Sequence, residues 1–310
     1  MAGPSLLCCA WEIQIHDPGE KRQSSVRTNR LFGRRPRRGF PTIMRSHLIG
    51  LQGVTMTSEA LVDYRVNGAV AIVKMNRPDA LNAFNIPLRE ALLAALNEAE
   101  QDDRVKVVVL GSTGRAFSAG ADLMESPENK PSVIETLLDG YRPLLEKIST
   151  MPLPVIGMAP GVAAGVGAAV LMACDLVLMA EEARIYMAFS HIGLVPDGGA
   201  TWFLYQHLGY QRAFQLIVEG GSLDSQRCLA LGIANQVLPV DQLEERALEW
   251  GGQLAQRSPL ATAEAKRLLR AAATSSYAET YQQEAVAQHR CIASPESKAA
   301  VEAFKTKSKK

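Results

Sequence analysis

The chain has 310 residues, 47% of them hydrophobic and 21% charged, with a formal net charge of +1; this is a globular composition with apolar residues enough for a sizeable core. The charge is uneven: residues 1–55 carry nine Lys/Arg against Glu12, Asp17 and Glu20, which leaves 24 basic and 29 acidic residues in the rest. A mildly acidic body makes no electrostatic case for nucleic acid, and the scattered Cys8, Cys9, Cys174, Cys228 and Cys291 show neither a disulfide framework nor metal-ligand spacing, so a reducing compartment and no metal are expected.

Residues 1–55, with Arg34-Arg35-Pro36-Arg37-Arg38 at their centre, show no sustained period of 3.6 or 2.0. They read as a basic, disordered extension outside the core. Three origins stay open: sequence upstream of a true start at Met56 or Met44, a transit segment, against which the three acids count, or a basic arm. The expected location is cytoplasmic, or the mitochondrial matrix if the extension is a transit peptide. Residues 56–255 read as the core and 256–310 as a C-terminal helical region.

Within the core, Leu61–Val66 and Ala69–Met75 flank Asn67-Gly68 and predict an antiparallel hairpin. A helix follows over Pro87–Glu100, with Leu88, Leu92, Leu93 and Leu96 on one face and Pro in its first turn. Val105–Leu110 is a continuous apolar run, as in a strand buried on both faces. Then come a helix over Val133–Ser149, a strand at Val155–Met158, a short helix from Gly167 and a strand at Leu176–Ala180. The alternation predicts an α/β architecture. Met151–Cys174 carries no charge, but Pro152, Pro154, Pro160, Gly157, Gly161, Gly165 and Gly167 break it as a membrane helix, and no membrane partner is expected. Beyond Ala200 the pattern is helical apart from a strand near Ala234–Leu238, with Ser258-Pro259 as an N-cap and first turn.

Two glycine turns carry the chemistry. The first, Gly111 to Leu123, follows a buried strand and frees the N–H of Ala121 to point into a cleft. The second, Gly161 to Ala169, lies where a strand gives way to a helix, whose first amides favour an anion. Two backbone donors converging from different turns are what a thioester enolate requires; loss of one such donor costs about 2.7 to 4 kcal/mol. Singly, each turn is better explained as a tight turn with close helix packing. The second also reads as Gly-x-Gly-x-x-Ala, a dinucleotide pattern, but eight positions from Gly167 to Asp175 leave no room for a full crossover helix.

The segments Met75-Asn76-Arg77-Pro78-Asp79-Ala80-Leu81-Asn82-Ala83, Ala116-Phe117-Ser118-Ala119-Gly120-Ala121-Asp122-Leu123, Pro154-Val155-Ile156, Gly161 to Ala168 with Ala173-Cys174-Asp175, and Gly193-Leu194-Val195-Pro196-Asp197-Gly198-Gly199, in this order, resemble enoyl-CoA hydratase/isomerase (crotonase) sequences. The resemblance covers Glu59 to Phe304. It implies a spiral of β-β-α units with a C-terminal helical trimerisation region, a trimer or dimer of trimers, and an acyl-CoA thioester as substrate, with coenzyme A arriving as part of that substrate and no other cofactor. By position it makes Ala121 and Val166 the oxyanion donors, with Gly120, Gly165 and Gly167 shaping their turns and Ala80 and Ala119 beside the adenine end of CoA.

The departures from the family pattern decide the expected reaction. Where a hydratase resembling this family has its two catalytic glutamates, this chain has Ala169 and Phe189. The stretch Ile185 to Trp202 is similar to members that isomerise 1,2-epoxyphenylacetyl-CoA, which makes Asp197 the acid/base and expects Phe189 and Trp202 to line its pocket and raise its pKa. As a bare sequence position, Asp197 also suits an N-cap for the helix near Ala200. The expected function is therefore acyl-CoA isomerisation; the alternatives are a hydratase-like enzyme of other specificity and a non-catalytic acyl-CoA-binding protein. Met124, Leu137 and Tyr141 are candidate pocket walls, Glu125 a candidate second carboxylate and Asp122 a structural residue. Arg77, Lys266 and Arg267 are candidates for CoA phosphates, and His191 adjoins the site without a partner pattern.

Overall fold

The computed structural model describes residues 60–125 and 131–307, so the expectations for residues 1–55 lie outside the described residues. The hairpin forms from β1 (Val62–Asn67) and β2 (Val70–Met75). Asn67 pairs with Val70, which makes Gly68-Ala69 the turn, one residue later than expected; Gly68 has φ +59°, as the first turn position of a type II′ hairpin demands. The helix α1 (Ile86–Gln101) starts where the Asn85 side chain accepts the Leu88 N–H, and buries Leu88, Leu92 and Leu96. β3 (Val107–Ser112) is wholly buried and lies parallel to β2. It begins two residues later than the apolar run and ends inside the first glycine turn.

The expected helix over 133–149 is instead composite. α2 (Val133–Glu135) passes through a π-helical stretch, Thr136–Tyr141, into α3 (Arg142–Thr150). The widened turn contains Gly140, where an added Cβ would lie 2.4 Å from the Arg89 guanidinium carbon, so the guanidinium packs directly on the glycine. β4 (Val155–Ala159), β5 (Ala163–Ala164), α4 (Val166–Ala173) and β6 (Leu176–Ala180) follow. β7 (Arg184–Tyr186), α5 (Ala200–Val218), β8 (Ser222–Asp224), α6 (Ser225–Ala230) and β9 (Gln236–Leu238) complete the sheets.

The large sheet has the order β1-β2-β3-β4-β6-β9 and is parallel apart from the opening hairpin. A second sheet, β5-β7-β8, was not expected from sequence, because strands of two or three residues leave no periodic trace. Its members draw the second glycine turn against the first through the parallel bridge Ser118↔Ala163. α7 (Leu243–Ala255) packs Gly251 on Val70 and Val107. α8 (Pro259–Ala272), capped by Ser258, then α9 (Tyr277–Ala293) and α10 (Pro295–Lys307) form the C-terminal arm. Lys266 pins α8 to the core: its Nζ donates to the carbonyls of Ile148 and Leu153 and pairs with Asp175 at 2.7 Å. Among the described residues no helix is long and apolar enough to cross a membrane.

Candidate active site

The first turn is built on Asn82, which is fully buried. Its Oδ1 accepts the Arg77 N–H, and its Nδ2 donates to the carbonyls of Thr113 and Ala116 at 2.8 and 2.9 Å. Leu81 and Asn82 sit in the left-handed region at φ +50° and +54°, strain of about 1–3 kcal/mol each for non-glycine residues that these bonds offset. The Ala119 N–H donates to the Leu81 carbonyl, which brings Ala80 and Ala119 to the same rim.

The direction of the Ala121 amide follows from strand geometry. Phe84 bridges Ala121 in parallel: its N–H donates to Gly120 O and its carbonyl accepts from Asp122 N. A parallel bridge engages the residues on either side of its partner, so the Ala121 N–H itself points the opposite way and donates to no described residue. Gly120 makes this possible at φ +95°; a Cβ there would meet Ala164 O at 3.0 Å and Gly165 Cα at 3.6 Å. On the other side Gly165 (φ +53°, ψ −129°) caps α4, and the N–H of Val166, the first residue of that helix, is likewise unpaired. Gly167 lies so close to Ser118 that a Cβ would meet its Cβ at 2.6 Å. Two free amides thus flank the contact between the Gly120 and Gly165 turns, the arrangement an oxyanion requires.

Asp197 lies on the loop that runs over α4. A Cβ on Gly198 (φ +59°) would come within 2.9 Å of Val166 Cγ2, 3.2 Å of Ala169 Cβ and 3.4 Å of Leu145 Cδ1. Asp197 therefore sits next to one of the two positions where the family pattern has glutamate. Its carboxylate does not cap α5: Gly199 is the N-cap, and Asp197 contributes only its main-chain carbonyl to Ala200 N. The Oδ1 atom is buried and has no hydrogen-bond partner. Burial pushes the carboxyl up to about 6, with a backbone hydrogen bond opposing.

The other expected site residues divide. Phe189 is buried, and its Cζ lies 3.5 Å from the Cβ position of Gly165, so a phenyl ring closes the second turn where the family pattern has its other glutamate. Trp202 packs edge-on against Phe203 and lines a cavity of about 620 Å³ with Leu137, Leu145, Gly198 and Gly199. Met124 is 91% exposed. Asp122 pairs with Arg77 at 3.1 Å and accepts from Met124 N, the structural role expected of it. Glu125 is spent on the Ile86 N–H at the start of α1. Arg77, Lys266 and Arg267 are committed to Asp122, Asp175 and Glu264. His191 is exposed, 3.3 Å from the Tyr186 hydroxyl. No cluster of His, Cys, Asp or Glu with metal-binding geometry occurs among the described residues.

Two residues matter more than their sequence positions suggest. Tyr141 is buried, edge-on to Phe84 at 6.1 Å, and the Arg89 guanidinium lies 4.9 Å above its ring. Its hydroxyl is pushed up to about 12, first by burial and then by the Asp197 and Glu125 carboxylates, with Arg89 opposing. Arg89 is a cation on the buried side of α1, three and seven residues before Leu92 and Leu96; that misplaced charge in an apolar stripe was the available signal.

The sequence profile of the enoyl-CoA hydratase/isomerase family matches residues 65–310. The 1,2-epoxyphenylacetyl-CoA isomerase of Escherichia coli K12 is 34% identical over 194 residues, 61% of this chain and 74% of that one. The 2,3-dehydroadipyl-CoA hydratase of the same organism is 33% identical over 201 residues, 65% and 78%. The crystal structure of an enoyl-CoA hydratase/isomerase from Cupriavidus metallidurans CH34 superposes with a TM-score of 0.74 at 31% identity, covering 80% of this chain and 94% of that one. With a fold that brings two free amides from separate glycine turns together, and with this match over nearly all of the described residues, the chain belongs to the enoyl-CoA hydratase/isomerase (crotonase) family.

Proposed function

We propose that the chain is an acyl-CoA isomerase working through a thioester enolate. Asp197 removes a proton from the carbon next to the thioester carbonyl, and the electron pair moves onto the carbonyl oxygen, held by the N–H groups of Ala121 and Val166. With a β,γ-unsaturated acyl group, Asp197 returns the proton to the γ carbon as the double bond settles between α and β. No atom is gained or lost, and no cofactor is needed beyond the coenzyme A of the substrate. An aryl-ring epoxide CoA ester is the other substrate class that suits this chemistry.

The observation that carries this reading is a desolvated carboxylate, its buried Oδ1 without a hydrogen-bond partner among the described residues, on the loop packed against Val166 and Ala169. A carboxyl held near 6 is ionised at neutral pH yet more basic than an exposed one. A methyl group at 169 and a phenyl ring at 189 cannot position water or shuttle its proton, which disfavours hydration. The identities to the isomerase and the hydratase of E. coli are too alike to discriminate, so the reading rests on the side chains at 169, 189 and 197. Exposed Leu269, Tyr277, Tyr281 and Ile292 on α8 and α9 support self-association through the C-terminal arm as a trimer or dimer of trimers.

Incubating the protein with phenylacetyl-CoA in heavy water and following the α-hydrogens by NMR tests the mechanism. Exchange that vanishes in Asp197→Asn is the expected result. Binding without exchange in the unmodified protein would exclude the enolate mechanism.

A further inference from the structure

Beside Asp197 the fold buries a second polar side chain whose hydrogen-bonding capacity is only partly used. Tyr141 is 3% exposed, and the one acceptor its hydroxyl meets, the Phe84 carbonyl, lies at 3.4 Å, where a full O–H···O bond spans about 2.5–3.0 Å. That carbonyl already accepts the Asp122 N–H at 3.0 Å. Tyr141 precedes Leu145 by one helical turn, and Leu145 touches the Gly198 position, so the tyrosine shares the helix face turned to the Asp197 loop. Phe84, in turn, is the residue that orients Ala121. The hydroxyl thus meets the residue bridged to Ala121 and lies near enough to the Asp197 carboxylate to feel its charge.

The tyrosine is held there at some cost to the fold. Its π-helical turn ends on Tyr141 itself, and such turns concentrate at functional sites. Arg89, 8% exposed, lies over the ring and against Gly140, and pairs with no carboxylate among the described residues.

Resting on the isomerase reading, we infer that the Tyr141 hydroxyl determines specificity by donating a hydrogen bond to an oxygen atom carried on the acyl group, with Arg89 as its positioning residue. Acyl thioesters bearing such an oxygen are then preferred to plain hydrocarbon ones. Burial and the neighbouring carboxylates keep the proton on the hydroxyl, so it acts as a donor. A ligand without the acceptor leaves that donor poorly paired.

The test compares phenylacetyl-CoA with 2-hydroxyphenylacetyl-CoA by calorimetric titration of the full-length protein, Tyr141→Phe and Arg89→Gln. The unmodified protein is expected to bind the hydroxylated ester about tenfold tighter or more. Tyr141→Phe brings the ratio toward one, and Arg89→Gln lowers it. A tyrosine that only fills space would weaken both esters alike and leave the ratio in place; that result, or equal affinities in the unmodified protein, overturns the inference. Hydrogen exchange on the same samples judges Asp197 separately: exchange that persists in Asp197→Asn removes the acid/base assignment while the binding ratio still decides Tyr141. If neither ester binds, both readings fall.

Discussion

Replacing Asp197 with asparagine is expected to abolish turnover and make the protein more stable. The carboxyl is held at about 6 against 3.8 when free; each pH unit is worth about 1.4 kcal/mol, so ionisation costs the fold about 3 kcal/mol. Solvent reaches part of the side chain and screens it, which brings the expectation to about 1.5 kcal/mol. The folded state, with the higher pKa, holds the proton more tightly than the unfolded state. Stability is therefore undiminished below about pH 4 and falls as pH rises through about 6. Asp197→Asn removes the charge, so its melting temperature should match the parent at pH 4 and exceed it by about 3–6 °C at pH 8. Thermal melts by circular dichroism from pH 4 to 8 give the difference. A variant that melts lower than the parent at pH 8, or a gain that does not depend on pH, would mean that a partner stabilises the carboxylate, and the argument from burial would fail.

The same shift sets the pH–rate profile: kcat/KM should rise through a pKa near 6 and level off above pH 7, since the base must be ionised. Steady-state assays with a β,γ-unsaturated acyl-CoA would show it, and a flat profile from pH 5 to 8 would count against Asp197. Val166→Pro deletes one oxyanion donor at the first helical position, where proline is tolerated; kcat should drop about 100- to 1,000-fold with little change in the far-ultraviolet circular dichroism. Asp175→Asn leaves buried Lys266 without its counter-ion and should cost about 3 kcal/mol, read as a lower urea midpoint; an unchanged midpoint would show the pair to be dispensable.

The two glycine turns, the amides they free and the alternation of strands and helices were legible because glycine and apolar periodicity report backbone demands directly. Asp197 was legible through its neighbours, but its freedom from a capping role was not: that depended on Gly198 and Gly199 taking left-handed conformations and moving the cap to Gly199. Trp202 was legible through its closeness to Asp197 in sequence, and the cavity it lines is one that Gly198 and Gly199 also line. The π-helical turn was hidden because Val133 to Ser149 satisfies an ordinary helical pattern, and the Arg89 guanidinium that packs against it at Gly140 comes from a distant part of the chain. Lys266 and Arg77 resembled free phosphate ligands for the same reason, since a charge's partner is a matter of tertiary contact.

The eight residues of α4 make a rod about 12 Å long, and both of its ends are engaged. Val166 at one end presents the amide proposed above as an oxyanion donor. At the other, Arg270 of α8 grips the Ala173 carbonyl at 2.6 Å and, with Lys266, holds Asp175. A cation at the carbonyl end of a helix complements its dipole, so the contacts that anchor α8 also stabilise the end of α4. Arg270 and Lys266 thus tie the C-terminal arm to the same short helix whose first residue is Val166.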